Sequence, residues 1–250
     1  MAKTKDLTWK YENDQWTRLP HHIRHLPIIT RHFDLFSAFI RFVWSQFLKN
    51  IFFKYYMKLE VVGDMRNLMQ THPKLIVMSN HGSHLDAISI ATAAPIRYWL
   101  NIYFAAAKDY FFSNFFMSFF SKHCIGAIPI ERKKNTGEAI KLCITLLERL
   151  DNIWLVLFPE GTRTKDGYIH PFKRGVSLFA LKTNVPILFL YLEGAYDSWP
   201  KGAGFARMGS RVRIHVGPVQ RPAPVEEVYS NYKAWVNSVK PGQFYDEIKK

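Results

Sequence analysis

Cysteine is nearly absent: the 250 residues hold only Cys124 and Cys143, with no C-x-x-C spacing. That excludes a disulfide framework and offers no zinc-site spacing, so both read as ordinary buried thiols in a reducing compartment. Long apolar runs are also missing. Counting His as neutral, the longest charge-free stretch is the twelve residues Tyr110 to Ser121, short of the roughly 18 to 20 that cross a bilayer. The first sixteen residues carry Lys3, Lys5, Asp6, Lys10, Glu12 and Asp14 around no apolar core of signal-peptide length, so secretion is not expected. No low-complexity tract occurs and no segment repeats at a period of about 20 to 50 residues, which sets aside tethered tails and solenoids. Acid is the scarcer charge, with 20 Asp plus Glu against 34 Lys plus Arg and a net charge of +14. Such a surplus draws the chain toward an anionic partner, and nucleic acid and acidic lipid both qualify.

What is present is apolar and aromatic. Hydrophobic residues make up 48% of the chain, ample for a core, and the 20 Phe cluster in stretches that also hold Lys and Arg. That mixture suits a membrane interface. From about Phe33 to Lys58, Asp34, Ser37, Arg41, Ser45 and Lys49 recur every three or four residues, forming the polar stripe of an amphipathic helix. Lys54 breaks the stripe, which predicts a second short helix from near Asn50. Two readings are open for this pair: it packs on its own domain, or its apolar face (Phe36, Phe39, Ile40, Val43, Trp44, Phe47) enters lipid while Lys and Arg stems snorkel to phosphates.

After Pro73 short apolar runs alternate with helical spacing. Leu75 to Met78, Tyr98 to Phe104, Ile125 to Ile130, Ile153 to Phe158, Pro186 to Leu192 and Val212 to Val216 are predicted strands. Asp86 to Ala94, Asp109 to Ser121, Thr136 to Leu150 and Gly175 to Thr183 are predicted helices. This alternation predicts an α/β fold, a mixed and largely parallel sheet covered by helices, with the amphipathic helix pair in front. Ligands of such sheets gather beyond the carboxyl ends of the strands.

Directly after the strand Leu75 to Met78 stands Asn80-His81-Gly82-Ser83-His84-Leu85-Asp86. On one continuous helix His81 and Asp86 would diverge by about 140°. A turn at Gly82 and Ser83 brings them together, so that the carboxylate fixes one imidazole tautomer and leaves the other nitrogen to accept a proton. His84 is a rival base, but its spacing from Asp86 directs it elsewhere. With no Ser or Cys nucleophile signalled beside the pair, the hydroxyl to be activated belongs to a substrate. A second polar motif, Pro159-Glu160-Gly161-Thr162-Arg163-Thr164, follows the strand Ile153 to Phe158.

These residues carry a resemblance. Asn80-His81-x-x-x-x-Asp86, Gly126-Ala127-Ile128-Pro129-Ile130-Glu131-Arg132, Phe158-Pro159-Glu160-Gly161-Thr162-Arg163 and Val185-Pro186-Ile187 resemble the four ordered blocks of the glycerolipid acyltransferases, the PlsC or lysophosphatidate acyltransferase type with its HxxxxD motif. The second block departs from the family, which has an aromatic residue and an aspartate where this chain has Pro129 and Glu131, and leaves the acceptor open.

The resemblance implies an O-acyltransferase in which His81 is general base and Asp86 its orienting partner. The hydroxyl of a lysophospholipid, 1-acyl-glycerol-3-phosphate first, attacks an acyl-CoA or acyl-carrier-protein thioester. Glycerol-3-phosphate or another lysolipid is the alternative acceptor. Arg132, Arg163 and Lys108 are the expected phosphate ligands, with Gly161 and Thr162 beside them, and Glu160 orders the site through Arg163 or backbone amides. Backbone N–H groups near Gly82 or Gly161 are candidate oxyanion donors. No metal or cofactor beyond the thioester co-substrate is implied. The expected organisation is residues 1–58 as an interfacial membrane-binding region and 59–250 as the catalytic domain. The expected setting is the cytoplasmic face of an anionic membrane, peripheral or monotopic, without nucleic acid as a partner; a basic nucleic-acid-binding protein is the remaining alternative.

Four other features have competing explanations. His21, His22, His25 and His32 lack carboxylate partners at regular spacing, which speaks against a metal site. Lys173 and Arg174 face donor phosphates, membrane or solvent. The Phe-rich stretch Tyr110 to Phe120 is either core, acyl-chain tunnel or membrane face. Arg207 to Arg213 reads as a sheet edge in preference to a nucleic-acid patch.

Overall fold

The computed structural model describes residues 35–107, 115–130 and 138–248. A seven-stranded sheet runs through it: β1 (Lys58–Val62), β2 (Lys74–Ser79), β3 (Ile102–Ala107), β4 (Ala127–Ile130), β5 (Ile153–Leu157), β6 (Ile187–Glu193) and β7 (Arg211–Gln220), in the order β1-β7-β6-β2-β5-β3-β4. Every neighbouring pair is parallel except β6 with β7. The fold class expected from the sequence is the one observed.

Each central strand is apolar on both sides because each side meets its own core. Ile76, Met78, Ile153, Leu155, Leu157, Ile187 and Phe189 point to one face, where they meet Leu146 and Leu147 of α5 (Glu138–Arg149), Phe179 of α6 (Gly175–Thr183) and Val228, Tyr232 and Val236 of α8 (Val225–Val239). Their neighbours Leu75, Val77, Trp154, Val156, Leu188 and Leu190 point to the other. There they meet Leu85 and Ile90 of α3 (Leu85–Ala93), Met65 and Met69 of α2 (Met65–Thr71), and the N-terminal helix. This strict alternation is the period-two geometry of a strand buried on both faces.

Four expectations need correction. The N-terminal pair is one rod: α1 (Leu35–Phe47) runs without a break into a π-helical stretch, Leu48–Tyr56. Its wider repeat, visible in the Met57 N–H bond to the Phe52 carbonyl, buries Leu48 and Phe53 five residues apart and absorbs the change of phase at Lys54.

The second correction concerns the cations of the stripe, while the apolar face points outward as the lipid reading requires. Arg41 is 2% exposed and Ser45 is 0% exposed; Arg41 donates to the Trp99 carbonyl at 2.5 Å and Lys49 to the Ala94 carbonyl at 2.9 Å. These cations bind protein carbonyls and do not snorkel to lipid, while Phe36, Phe39, Phe42, Val43, Phe47, Ile51 and Tyr55 face outward. Asp34 lies outside the described residues.

The third correction concerns Tyr98 to Asn101, which form a 3₁₀ turn, so that β3 starts only at Ile102. The fourth concerns Arg211 and Arg213: β7 is an interior strand covered by β1, where the two arginines bridge Glu60, and Arg213 also Glu193. The sequence reading also passed over β1, α2, α8 and α9 (Tyr245–Ile248). Of the Phe-rich stretch, α4 (Phe115–Phe119) continues through a π-helical turn to Ile125 and lies against α1 through Phe36 with Phe119 and Trp44 with Phe120. Phe115 and Phe116 are exposed, which excludes a core role for them.

Candidate active site

The site is built where β2 stops. Asn80 continues the pairing of β2 with β6 by its side chain: Nδ2 donates to the Leu192 carbonyl at 3.0 Å, and Oδ1 accepts from the Leu192 N–H at 2.8 Å. Its own N–H reaches the Tyr232 hydroxyl at 3.2 Å, which in turn donates to the Leu190 carbonyl at 2.9 Å. The backbone entering His81 is therefore held by three hydrogen bonds, two to Leu192 and one to Tyr232.

The turn required at Gly82 and Ser83 is present. His81 Nδ1 lies 2.7 Å from Asp86 Oδ2, and the same oxygen accepts the Ser83 N–H at 2.9 Å. Ser83 Oγ accepts from the Leu85 N–H at 3.1 Å and donates to the Trp199 carbonyl at 2.8 Å, tying down the start of α3. Asp86 is fully buried in the first turn of α3, where the helix dipole favours its negative charge. A carboxylate can only accept, so Nδ1 carries the proton and Nε2 is left with a lone pair. The imidazole is stacked on Phe158, with ring centroids 4.1 Å apart and planes 13° from parallel. One side of the ring is thus fixed by an aromatic face and one edge by a carboxylate, with the side chain 20% exposed.

Glu160 supports the same segment from below. Oε1 accepts the His81 N–H at 2.8 Å and Oε2 the His170 N–H at 3.1 Å, while the Thr164 N–H donates to the His81 carbonyl at 2.9 Å. Of the two partners expected for Glu160, these bonds go to backbone amides. Burial pushes its carboxyl up to about 8, and the two amide donors hold it below what burial alone would give. Beside it a polar cavity of about 210 Å³ is lined by Asn80, His81, Glu160, Tyr191 and Tyr196 among others.

Cations gather along the Gly161–Thr164 turn. Gly161 has φ +71°, and a Cβ there would stand 2.6 Å from Lys173 Nζ, so the glycine makes room for that ammonium. Its N–H is committed to the Phe158 carbonyl at 2.9 Å, which removes it as an oxyanion donor. Lys201 Nζ reaches Thr162 Oγ1 at 3.4 Å. His84 is pushed down to about 4 by burial first, then by the Arg163 and His81 charges. At that value His84 is neutral at physiological pH. Lys108 and Arg132 lie outside the described residues, as do His21, His22, His25 and His32.

Ser83, Trp199 and Tyr232 escaped sequence reasoning as parts of this site. Tyr232 and Trp199 stand more than a hundred residues from His81 with no motif around them; Ser83 lies inside the motif, where the sequence marks it only as part of the turn.

A buried carboxylate behind a histidine at the end of a parallel strand, facing a basic turn at the next strand, defines a class. The acyltransferase family profile matches residues 60–192, more than half of the chain, and the chain belongs to this family. Among particular relatives, 1-acyl-sn-glycerol-3-phosphate acyltransferase alpha of Mus musculus is 30% identical over 66% of this chain and 55% of its own length. The chloroplastic 1-acyl-sn-glycerol-3-phosphate acyltransferase BAT2 of Brassica napus is 28% identical over 72% and 49%. The chain thus spans about half the length of the curated relatives it matches. Among solved structures, the 1-acyl-sn-glycerophosphate acyltransferase PlsC of Thermotoga maritima superposes with a TM-score of 0.60 at 22% identity, over 88% of this chain and 94% of that one. That likeness is one of fold.

Proposed function

We propose that the protein transfers a fatty acyl group from the thioester of acyl-CoA or acyl-carrier protein to the free hydroxyl of 1-acyl-glycerol-3-phosphate, working at a membrane surface. The observation that carries the reading is the 2.7 Å bond between His81 Nδ1 and the buried Asp86, which leaves Nε2 as a base of fixed orientation. The adjacent Ser83 hydroxyl is engaged at both ends and is a poor nucleophile. The attacking oxygen is therefore the acceptor's own. It adds to the thioester carbonyl as Nε2 takes its proton; the tetrahedral intermediate collapses, the C–S bond breaks, and the imidazolium returns the proton to the departing thiolate. The Gly82 N–H, which has no protein acceptor among the described residues, is the oxyanion donor in this scheme.

Arg163, Lys173 and Lys201 bind the acceptor's phosphate, joined by Lys108 and Arg132. The support is the convergence of cations on the Gly161–Thr164 turn, together with the lysophosphatidate named in the relatives. The outward apolar face of α1, with Phe115 and Phe116 beside it, supports insertion into the interface of an anionic bilayer.

The test is thioester consumption with lysophosphatidate, glycerol-3-phosphate and a neutral lysolipid offered in parallel. Thiol release that rises with lysophosphatidate and not with the other two is expected. Equal or greater release with the neutral lysolipid would reject the phosphate-binding assignment.

A further inference from the structure

The loop between α7 (Ala195–Ser198) and β7 has the composition of a lipid-inserting tip without belonging to any helix. It reads Trp-Pro-Lys-Gly-Ala-Gly-Phe-Ala-Arg-Met-Gly-Ser over residues 199–210 and contains no acid. Phe205 is 87% exposed and Met208 is 76% exposed, the former the most exposed large apolar side chain among the described residues. Single exposed apolar residues are ordinary, but these two stand on a braced loop. The Tyr56 hydroxyl donates to the Ala206 carbonyl at 2.5 Å, the Gly209 N–H to the Tyr56 carbonyl at 2.8 Å, and the Lys58 N–H to the Ser210 carbonyl at 2.9 Å. Trp199 Nε1 closes the other side on the Ala203 carbonyl at 2.8 Å. Ala206 is buried, so the chain turns inward there and leaves its neighbour Phe205 standing out.

These bonds fasten the tip to the C-terminal end of the rod whose outer face presents Phe39, Phe47, Ile51 and Tyr55. Its root is equally fixed to the site: Trp199 accepts the Ser83 hydroxyl and lies against the His84 ring at 5.2 Å, and Lys201 reaches Thr162. Arg207 stands between the two apolar residues and is exposed, matching anionic head groups around inserted side chains.

We propose that the 199–210 loop is a second lipid contact of this protein, with Phe205 and Met208 entering the interface of an anionic bilayer. Its rigid root then holds the His81 site at the lipid surface. The inference rests on the membrane reading above and extends it to a segment outside the N-terminal rod.

The test uses the full chain with a nitrobenzoxadiazole probe on Phe205→Cys, on Met208→Cys and, for reference, on Phe39→Cys; both native cysteines are buried. Vesicles of equal parts phosphatidylglycerol and phosphatidylcholine should raise and blue-shift the emission at all three positions. The double variant Phe205→Ser, Met208→Ser should bind these vesicles at least about tenfold more weakly, the effect of withholding one large apolar side chain from lipid. A response at Phe39→Cys with water-like emission at both loop positions would overturn the loop contact and leave the membrane reading standing. Silence at all three would remove both. Loop probes that respond to an acidic acyl-carrier protein and not to vesicles would reassign the surface to a protein partner.

Discussion

At the scale of single residues the central fact is how much of the chain is spent on holding one imidazole. Asp86 and Phe158 fix the ring, Glu160 fixes its amide, and Asn80 with Tyr232 fixes the residue before it. The spacing of His81 and Asp86 across a Gly-Ser turn was legible in the sequence because a short side-chain bridge can be reasoned from local geometry. Tyr232 was not, since nothing local marks a helix residue that reaches a strand end from 152 positions away. Glu160 gives a prediction with a definite sign. Folded, it keeps its proton up to about pH 8; unfolded, it would lose it near the ordinary Glu value of about 4.3. Its contribution to stability is therefore full below that lower value and lost as pH rises through 8. Glu160→Gln cannot titrate, so the Tm of wild type minus that of the variant should fall steadily between about pH 5 and pH 8 and level off above. A difference that stays flat with pH would reject the raised value. Arg163→Ala should raise the KM for the phosphorylated acceptor more than that for the thioester; the reverse would move Arg163 to the donor.

Among the elements, α1 and its π-helical extension carry the pattern that stands out most in the sequence. The sequence showed a polar stripe and an apolar face, and the usual rule turns the stripe to water. Here Arg41 and Lys49 face the protein, where they donate to the Trp99 carbonyl in the 3₁₀ turn and to the Ala94 carbonyl just before it, and Ser45 bonds back to the Phe42 carbonyl of its own helix. No periodicity reveals such carbonyls, so the stripe's existence was legible and its direction was not. The consequence is a division of labour across one helix. Arg41→Ala should lower stability by about 1–3 kcal/mol by removing a buried hydrogen bond and the packing of a buried side chain, seen as a loss of several degrees in Tm. Phe39→Ser should leave Tm unchanged and weaken vesicle binding. Opposite assignments of the two effects would mean that the helix is oriented the other way. The strands were legible for a simpler reason: β2, β5 and β6 are apolar at nearly every position because both their faces are covered. β1 and α2 escaped notice because their apolar positions are few and short.

For the whole molecule, the net charge of +14 now divides among separate tasks. Arg211 and Arg213 neutralise acids on the sheet, Arg41 and Lys49 bind carbonyls inside, and Lys173 and Lys201 stand at the Gly161–Thr162 turn. Exposed cations such as Lys54, Arg207 and Lys58 remain for an anionic surface. Vesicle binding should therefore weaken as salt rises from low to physiological strength and as phosphatidylglycerol is replaced by phosphatidylcholine. Binding indifferent to both would assign the attraction to apolar contact alone. The central claim is that His81 takes the proton from the acceptor hydroxyl, and the most direct measurement is the initial rate of thiol release from an acyl thioester with 1-acyl-glycerol-3-phosphate, wild type against His81→Ala. The account predicts a fall of about 10² to 10⁴ with the circular dichroism spectrum and Tm retained. A His81→Ala protein that releases thiol at the wild-type rate would contradict it.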